Sequence, residues 1–297
     1  MNADSGQYRA KQQGDGGPEL DPRKPRSARL HDFWLGGKDH FAADRAAGTA
    51  ALAAYPDIAS SARATRAFLV RAVRLLAVDA GIRQFLDIGA GMPAVGSANT
   101  HEIALAVSPD CRVLYVDNDP AVGTHVRARL TSDAAMVRYT EADLRHPDEL
   151  LAAAAGTLDL TKPVAVMLVA VLHLVSDADD PYGVVARLMA AVPPGSHLML
   201  CHPAIDQHAG AAEAMTRLNG AMEQQRTLRA HGDVTRFFTG LDLLPPGVVR
   251  PSQWRPDSAE EADRPSAAWA GVAGKQRHAQ LCVAGQAGEP ARPFSLL

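Results

Sequence analysis

The stretch FLDIGAGMP, residues 85–93, decides the fold of this 297-residue chain. Its first residues form a short apolar run typical of a buried strand, with Asp87 near the end. Gly89 and Gly91 then allow the backbone to turn tightly and to approach a ligand before the next helix begins. A dinucleotide fingerprint needs a third glycine three residues after the second, but Ala94 stands there. A carboxylate would also repel a pyrophosphate, so the stretch favours a ligand with a cationic end.

Short apolar runs alternate with amphipathic segments after this stretch. Further strands are predicted at 112–116, 137–139, 164–169 and 197–200, with helices at 99–107, 120–131, 147–155 and 181–192. This alternation indicates a parallel sheet that is covered on both faces, with the carboxyl ends of all its strands at one edge. Beyond these elements, we predict a helix at 209–230, a loop at 251–265 and a last strand at 279–284. The sequence therefore predicts an α/β fold, with a Rossmann-like, mostly parallel sheet and an antiparallel edge strand.

The N-terminal region has a different pattern. Residues 1–25 are polar and aperiodic, and they are predicted to form a disordered tail. Residues 26–80 are predicted to form a helical cap, because apolar residues recur there at helical spacing. The arginines of this cap are predicted to lie largely on its outer side: Arg63, Arg66, Arg71 and Arg74. The remaining residues, 81–290, are predicted to form the ligand-binding domain.

Acidic residues also end the second and third predicted strands. In YVDNDP, residues 115–120, Asp117 is placed to accept hydrogen bonds from the hydroxyl groups of a ribose. In EAD, residues 141–143, Asp143 is placed to contact the amino group of an adenine. Three acids that end three successive strands indicate one nucleoside site at this edge of the sheet.

Together these motifs resemble class I S-adenosylmethionine-dependent methyltransferases. The segments ARLHDFWLGGKD, NTHE and YVDNDP are similar to one bacterial family, formerly catalogued as a domain of unknown function and now called an S-adenosyl methyltransferase family. The resemblance covers roughly residues 26–285, although Pro93 stands where many methyltransferases have a third glycine. It implies S-adenosyl-L-methionine as the cofactor, with the methionine part held by Asp87, Gly89, Ala90 and Gly91. It further implies that Asp117 binds the ribose, and that the adenine is contacted by Asn118, Asp143 and Leu144.

The segment HDFWLGGKD, residues 31–39, contains a glycine pair followed by a lysine. A phosphate-binding P-loop is excluded, because Asp39 follows the lysine where a hydroxyl residue must bind magnesium. The resemblance instead implies a cap that folds over cofactor and acceptor. Lys38 is then expected either to pair with the carboxylate of the cofactor or with Asp39, or simply to face the solvent.

The same resemblance implies roles for the other residues of this segment as parts of the cap. Gly36 and Gly37 are predicted to break a helix and to bring the backbone near the methionine end of the cofactor. Phe33 and Trp34 are predicted to shield the substrate pocket.

Two histidines are candidates for contact with an acceptor. His173 follows the fourth strand in a V-L-H segment similar to that of small-molecule methyltransferases, and it acts either as a general base or by packing beside the cofactor. His202 ends the fifth strand and is predicted to touch the substrate. The Asn/Asp-Pro-Pro-Tyr segment of enzymes that methylate planar amino groups is missing here, which favours a small-molecule acceptor over a nucleic acid.

Composition narrows the class of protein further. The formal net charge of −3 gives no general attraction to nucleic acid or to an anionic membrane. The three distant cysteines, Cys111, Cys201 and Cys282, have no metal-ligand spacing and suit a reducing compartment. We therefore predict a cytoplasmic methyltransferase without a metal, acting on a small molecule. The alternatives are a protein that binds S-adenosyl-L-methionine without methyl transfer and, less favoured, an NAD-dependent oxidoreductase.

Overall fold

A computed structural model describes residues 21–94, 96–129 and 136–276. Three helices come first: α1 (Ser27–Leu35), α2 (Ala42–Ala54) and α3 (Ile58–Val78). Helix α1 ends at Gly36, whose φ of 83° is a left-handed conformation that favours glycine. Helix α2 begins where the buried carboxylate of Asp44 accepts a hydrogen bond from the backbone N–H of Phe41 (2.8 Å).

The rest of the described chain forms an α/β domain. Its strands are β1 (Gln84–Ile88), β2 (Arg112–Asp117), β3 (Val137–Glu141), β4 (Ala165–Val169), β5 (His197–Pro203), β6 (Asp242–Leu243) and β7 (Ala268–Gly274). Its helices are α4 (Thr100–Val107), α5 (Pro120–Arg129), α6 (Pro147–Ala154), α7 (Pro181–Ala190), α8 (Ala209–Ala221), α9 (His231–Arg236) and α10 (Ala259–Ala262). Short 3-10 turns lie at Leu172–Leu174, Asp177–Asp179 and Pro251–Gln253.

The seven strands form one sheet in the order β3-β2-β1-β4-β5-β7-β6. Strands β1 to β5 pair in parallel, whereas β7 runs antiparallel to both β5 and β6. This arrangement confirms the predicted Rossmann-like sheet with an antiparallel addition at one edge. Because β1, β2 and β3 are parallel neighbours, their three carboxyl ends lie side by side.

Helices cover both faces of the sheet. Phe85 of β1 packs with α3 and α4 on one face, and the next residue, Leu86, packs with α6 and α7 on the other. Both side chains are fully buried, as expected when alternate residues of a strand face two covered sides. Cys111 and Cys201 are also buried, whereas Cys282 lies outside the described residues.

The cap is built from two distant parts of the chain. Leu30 of α1, Ala51 of α2 and Leu218 of α8 belong to one buried cluster, so α8 completes the layer that α1 and α2 begin. Helix α3 crosses the boundary between cap and sheet, because Ala62 packs in this cluster and Leu76 packs against the sheet. The N-terminal segment alone therefore does not make up the cap.

Several element boundaries differ from the prediction. Helix α8 ends at Ala221, and the segment that was predicted to be a loop contains α10. The described antiparallel strand is β7, at Ala268–Gly274, while the predicted strand at 279–284 lies outside the described residues. Of the predicted tail, residues 21–25 are described, and the backbone oxygens of Asp21 and Lys24 accept hydrogen bonds from the guanidinium of Arg29.

The predicted outward direction of Arg71 is wrong. Its guanidinium is buried and donates to the backbone oxygens of Pro251 (2.7 Å) and Trp254 (3.0 Å), and it pairs with Glu261. The reason is that the segment between β6 and β7 covers this side of α3, a contact that helical spacing alone does not reveal.

Candidate functional site

A deep cleft lies at the carboxyl ends of β1, β2 and β3, beneath the cap. Its empty volume of about 1370 Å³, which includes the open mouth, is ample for a ligand of cofactor size. The structure brings all but one of the predicted cofactor residues to this cleft: Gly37, Asp87, Gly89, Ala90, Gly91, Asp117, Asn118, Asp143 and Leu144. The exception is Gly36, which is exposed at the end of α1.

The loop after β1 follows the wall of the cleft closely. Gly89 and Gly91 have φ values of 73° and 66°, a backbone conformation that would be strained for a residue with a side chain. A Cβ atom at Gly89 would also lie 2.4 Å from a methyl carbon of Val171, so there is no room for one. The N–H groups of Gly89 and Ala90 donate to the backbone oxygen of Val116 (2.8 and 3.1 Å), which ties the loop to the end of β2.

Asp87 places a buried carboxylate in this cleft. It accepts a hydrogen bond from the hydroxyl of Thr100 (2.7 Å), and among the described residues no basic side chain forms an ion pair with it. Burial raises the pKa of Asp87, and the Thr100 hydrogen bond and the charge of Arg66 offset only part of that rise. A ligand cation beside Asp87 would therefore be strongly favoured.

Asp117, at the end of β2, is held in a fixed orientation. Its two oxygens accept hydrogen bonds from the N–H groups of Gly91 (2.9 Å) and Asp119 (3.0 Å). Burial raises the pKa of Asp117 to about 6, because these hydrogen bonds only partly offset the loss of water. Each carboxylate oxygen keeps a further lone pair that can accept a hydrogen bond from a ligand hydroxyl.

Asp143, after β3, is in contrast firmly ionised. Arg145 donates to both of its oxygens (3.0 and 2.6 Å), and the amide of Asn118 donates to one of them (3.3 Å). Partial burial alone would raise the pKa of Asp143, but the hydrogen bonds from Arg145 outweigh it and lower the pKa to about 2. Asn118 and Asp143 thus form one hydrogen-bonded polar pair in the wall of the cleft, after β2 and β3.

The cap segment after α1 is organised around Asp32. Its carboxylate accepts hydrogen bonds from the backbone N–H of Asp39 (2.8 Å) and from the ring of His40 (2.9 Å). A Cβ atom at Gly37 would lie 1.9 Å from an oxygen of this carboxylate, so any larger residue there would displace the Asp32 side chain. Lys38 is exposed and does not line the cleft.

A second cavity lies under the cap and shares a wall with the cleft. Its empty volume is about 710 Å³ with its opening included. The residues common to both are Ser27, His31, Ala62, Thr65 and Ala170. Most of its other lining is apolar and comes from β5, from α8 and from the segment that joins α2 to α3.

Of the predicted acceptor residues, Trp34 and His173 line this second cavity. Phe33 and His202 line neither cavity. Phe33 contacts the ring of His40 edge-on, with 5.3 Å between ring centroids. His202 is fully buried, accepts a hydrogen bond from Arg229 (2.8 Å) and donates one to the backbone oxygen of Pro203 (2.8 Å).

His173 is buried at the base of the second cavity. Its Nδ1 atom has no hydrogen-bond partner among the described residues, although its backbone oxygen accepts a hydrogen bond from Thr227 (2.8 Å). Burial and the charge of Arg226 lower the pKa of His173 well below its usual value, so the ring is neutral. A buried nitrogen without a partner is costly and suits a ligand that supplies one.

Among the lining residues that were not predicted from the sequence, three carry titratable or charged side chains that the proposals use. Arg66 and His31 line the cleft, and Arg226 lines the second cavity. The predicted outer position of Arg66 is wrong, because positions 62, 65, 66 and 69 share one face of α3 and all line the cleft. No local pattern marks Arg226, which follows α8 in an irregular segment.

Two classes of feature do not occur in the described ranges. No cluster of His, Cys, Asp and Glu side chains is arranged to hold a metal ion. No helix there is long and apolar enough to cross a membrane.

Comparisons with known proteins agree with this geometry. A family described as S-adenosyl methyltransferase matches residues 13–277. A DUF574 family protein from Streptomyces avermitilis is 40% identical, with a TM-score of 0.81 over 86% of this chain and 99% of that one. A protein from Thermobifida fusca, described as a proposed methyltransferase, is 38% identical, with a TM-score of 0.80 over 86% of this chain and 96% of that one.

A more distant structure shares the fold alone. An O-methyltransferase family protein from Burkholderia thailandensis is 15% identical, with a TM-score of 0.51 over 86% of this chain and 65% of that one. No curated protein matches the chain. The family match spans most of the sequence, and the cleft has the acids and glycines that the sequence motifs placed there. The chain therefore belongs to the S-adenosyl methyltransferase family, whose cofactor is S-adenosyl-L-methionine.

Proposed function

We propose that this protein transfers the methyl group of S-adenosyl-L-methionine to a small molecule that binds in the second cavity. The observation that carries the proposal is the wall shared by the cleft and the second cavity, at His31, Thr65 and Ala170. A reaction between two ligands needs two adjoining sites, and a cavity enclosed by the cap suits a small acceptor better than a polymer.

The residues of the cleft fit the cofactor in their chemistry. Asp87 is a buried carboxylate that forms no ion pair within the described part of the chain, and the methionine part of the cofactor carries an ammonium group. Asp117 has free acceptor capacity for the two ribose hydroxyls, and Asn118 with Asp143 would face the adenine. Arg66 lines the same cleft near Asp87 and would face the carboxylate of the methionine part.

When bound, S-adenosyl-L-methionine supplies a methyl group on a positively charged sulfur, which an electron-rich acceptor atom can displace. The protein's contribution is to place the acceptor beside the cleft and to exclude water with the cap. His173 would accept a hydrogen bond or a proton from the acceptor at Nδ1, since that atom is neutral and without a partner among the described residues. A proton acceptor is needed only when the acceptor atom carries a proton.

The experiment that tests this function separates binding from transfer. Calorimetry with S-adenosyl-L-homocysteine measures occupation of the cleft. Incubation with S-adenosyl-L-methionine carrying a labelled methyl group, together with extracts and a library of small molecules, detects label in a product. Binding accompanied by labelled small molecules is expected.

Tight binding without label in any product would overturn the proposal and would favour a protein that binds the cofactor without transferring its methyl group. Label in nucleic acid instead of small molecules would also overturn it. The Asp117→Asn variant controls for label that does not depend on the cleft.

A further inference from the structure

The second cavity contains a buried arginine without an ionic partner in the described part of the chain. Arg226 is 6% exposed, and its guanidinium contacts only the sulfur of Met222 among the contacts seen there. None of the residues that line the cavity is an aspartate or a glutamate. A buried guanidinium without a counter-ion is expensive to maintain, and such groups are normally paired.

Arg229, only three residues further on, provides the contrast within the same segment. It is 4% exposed, and it donates to the carboxylate of Asp177 (2.6 Å) and to the backbone oxygens of Leu172 and Val175 (3.2 Å each). Arg229 lines neither cavity. Arg229 thus forms its hydrogen bonds within the fold, whereas Arg226 faces the second cavity.

The backbone of Arg226 is also held in place. The side-chain amide of Asn219, on α8, accepts a hydrogen bond from the N–H of Arg226 (2.8 Å) and donates one to its backbone oxygen (2.9 Å). This two-point clamp fixes where the side chain starts. The site is therefore built by the cap and does not depend on a mobile surface arginine.

We infer that the acceptor is a small, largely apolar acid, whose anionic oxygen group binds Arg226 in the second cavity. This inference rests on the proposed function, because it identifies the class of acceptor for the same site. The apolar lining suits the carbon skeleton, and the guanidinium suits a carboxylate or an acidic hydroxyl. Burial, with a contribution from the charge of Arg226, lowers the pKa of both His31 and His173, so Arg226 is the charged side chain in this cavity.

The experiment compares acids with their uncharged amides. Benzoate, 2-naphthoate and octanoate, and the three matching amides, are titrated by calorimetry into the protein saturated with S-adenosyl-L-homocysteine. At least one acid is expected to bind roughly tenfold more tightly than its amide, as a charge-assisted hydrogen bond in a buried site implies. Equal or weaker binding of all three acids overturns the inference.

Substitution of the arginine then identifies the group responsible. Arg226→Met is expected to abolish the preference for acids, and Arg226→Lys is expected to retain part of it. If Arg226→Met keeps the preference, the inference is overturned. Loss of S-adenosyl-L-homocysteine affinity in Arg226→Met, with no effect on the acids, would place the arginine in the cofactor site and would also overturn it.

Thermal unfolding distinguishes a binding role from a structural one. Without ligands, Arg226→Met should keep or raise Tm, because it removes a buried unpaired charge. The matched control, Arg229→Met, should lower Tm, because it leaves Asp177 and two backbone oxygens without their donor. A fall in Tm for Arg226→Met as large as that of Arg229→Met would overturn the inference.

Failure here is separable from failure of the proposed function. Labelled methyl transfer to a neutral compound would leave the function intact and overturn only the inference. A preference for acids without any methyl transfer would overturn the proposed function and would leave Arg226 as the binding site of an acid that is not methylated.

Discussion

The cleft and the second cavity adjoin each other but carry opposite charge. Five aspartates and three arginines line the cleft, so negative charge prevails there, whereas the charged side chain of the second cavity is Arg226. Asp87 and Arg226 are both buried, and neither forms an ion pair with another described residue. Such buried charges destabilise the free protein, and a bound ligand of opposite charge offsets that cost. The contrast thus indicates a cationic group for one cavity and an anionic group for the other.

The largest effect is expected for Asp87→Asn. This substitution should weaken the binding of S-adenosyl-L-homocysteine by about 100-fold, since it removes a buried charge that faces the ammonium group of the ligand. It should also raise the Tm of the free protein by about 2–4 °C, because burial disfavours the charged form. Calorimetry and thermal unfolding measure the two effects.

Asp110 supplies the control for this substitution. It is an exposed acid just before β2, at the opposite end of the sheet, and Asp110→Asn should leave ligand affinity unchanged. Unchanged affinity in Asp87→Asn as well would break the comparison between the two cavities.

A change of pH is expected to have a smaller effect on the affinity for S-adenosyl-L-homocysteine. Because the pKa of Asp117 is raised to about 6, the free protein binds a proton there as the pH falls through 6. The ribose hydroxyls need the ionised form, so S-adenosyl-L-homocysteine should bind about tenfold more weakly at pH 5 than at pH 7. Asp117→Asn should bind weakly at both pH values, and a wild-type affinity that stays flat over this interval would exclude this role for Asp117.

The raised pKa of Asp117 also determines how this residue contributes to the stability of the free protein at different pH values. The group costs the free fold stability above pH 6, where it is charged, and that cost disappears as the pH falls. Ligand affinity and the contribution of Asp117 to stability should therefore change in opposite directions between pH 7 and pH 5.

Substitution in the cap segment should have a moderate effect. Gly37→Ala forces the Asp32 carboxylate away, and the resulting rearrangement should cost about 1–3 kcal/mol of stability. Since Gly37 lines the cleft, S-adenosyl-L-homocysteine should bind more weakly by about fivefold, or roughly 1 kcal/mol. Gly36→Ala is the comparison for backbone strain, because its φ of 83° disfavours a side chain while its Cβ would meet nothing within 4 Å and it lies outside the cleft. Equal loss of affinity in both variants would show that displacement of the Asp32 carboxylate is not what weakens binding.

The smallest effect is expected at Lys38. Its side chain is exposed and outside the cleft, so Lys38→Ala should change S-adenosyl-L-homocysteine affinity less than about twofold. Arg66→Gln, in contrast, removes a cation that lines the cleft and should cost about fivefold. A larger effect at Lys38 than at Arg66 would reverse the assignment of the cofactor carboxylate.

The sheet and the cleft could be predicted from sequence because their signals are local. Each strand is a short apolar run, and each acid directly follows its strand, so the parallel order alone brings Asp87, Asp117 and Asp143 together. The second cavity could not be predicted in the same way. Arg226 and α8 meet the cap through contacts that span most of the chain, and no pattern within either segment encodes them. Arg71 was misplaced for the same reason, since its partners lie between β6 and β7.

The two-part cap has a consequence for the order in which the molecule is completed during synthesis. Every residue that lines the cleft, apart from Gln224, precedes residue 176, whereas the second cavity also needs α8 and the strand β7. At typical rates of translation, the interval between the end of α2 and the end of α8 is about 10–30 s. During that time α1, α2 and α3 can pack together, but the apolar side chains that later contact α8 lack that partner. The nascent chain thus contains nearly all of the residues that line the cleft before it contains the helix and the strand that complete the second cavity.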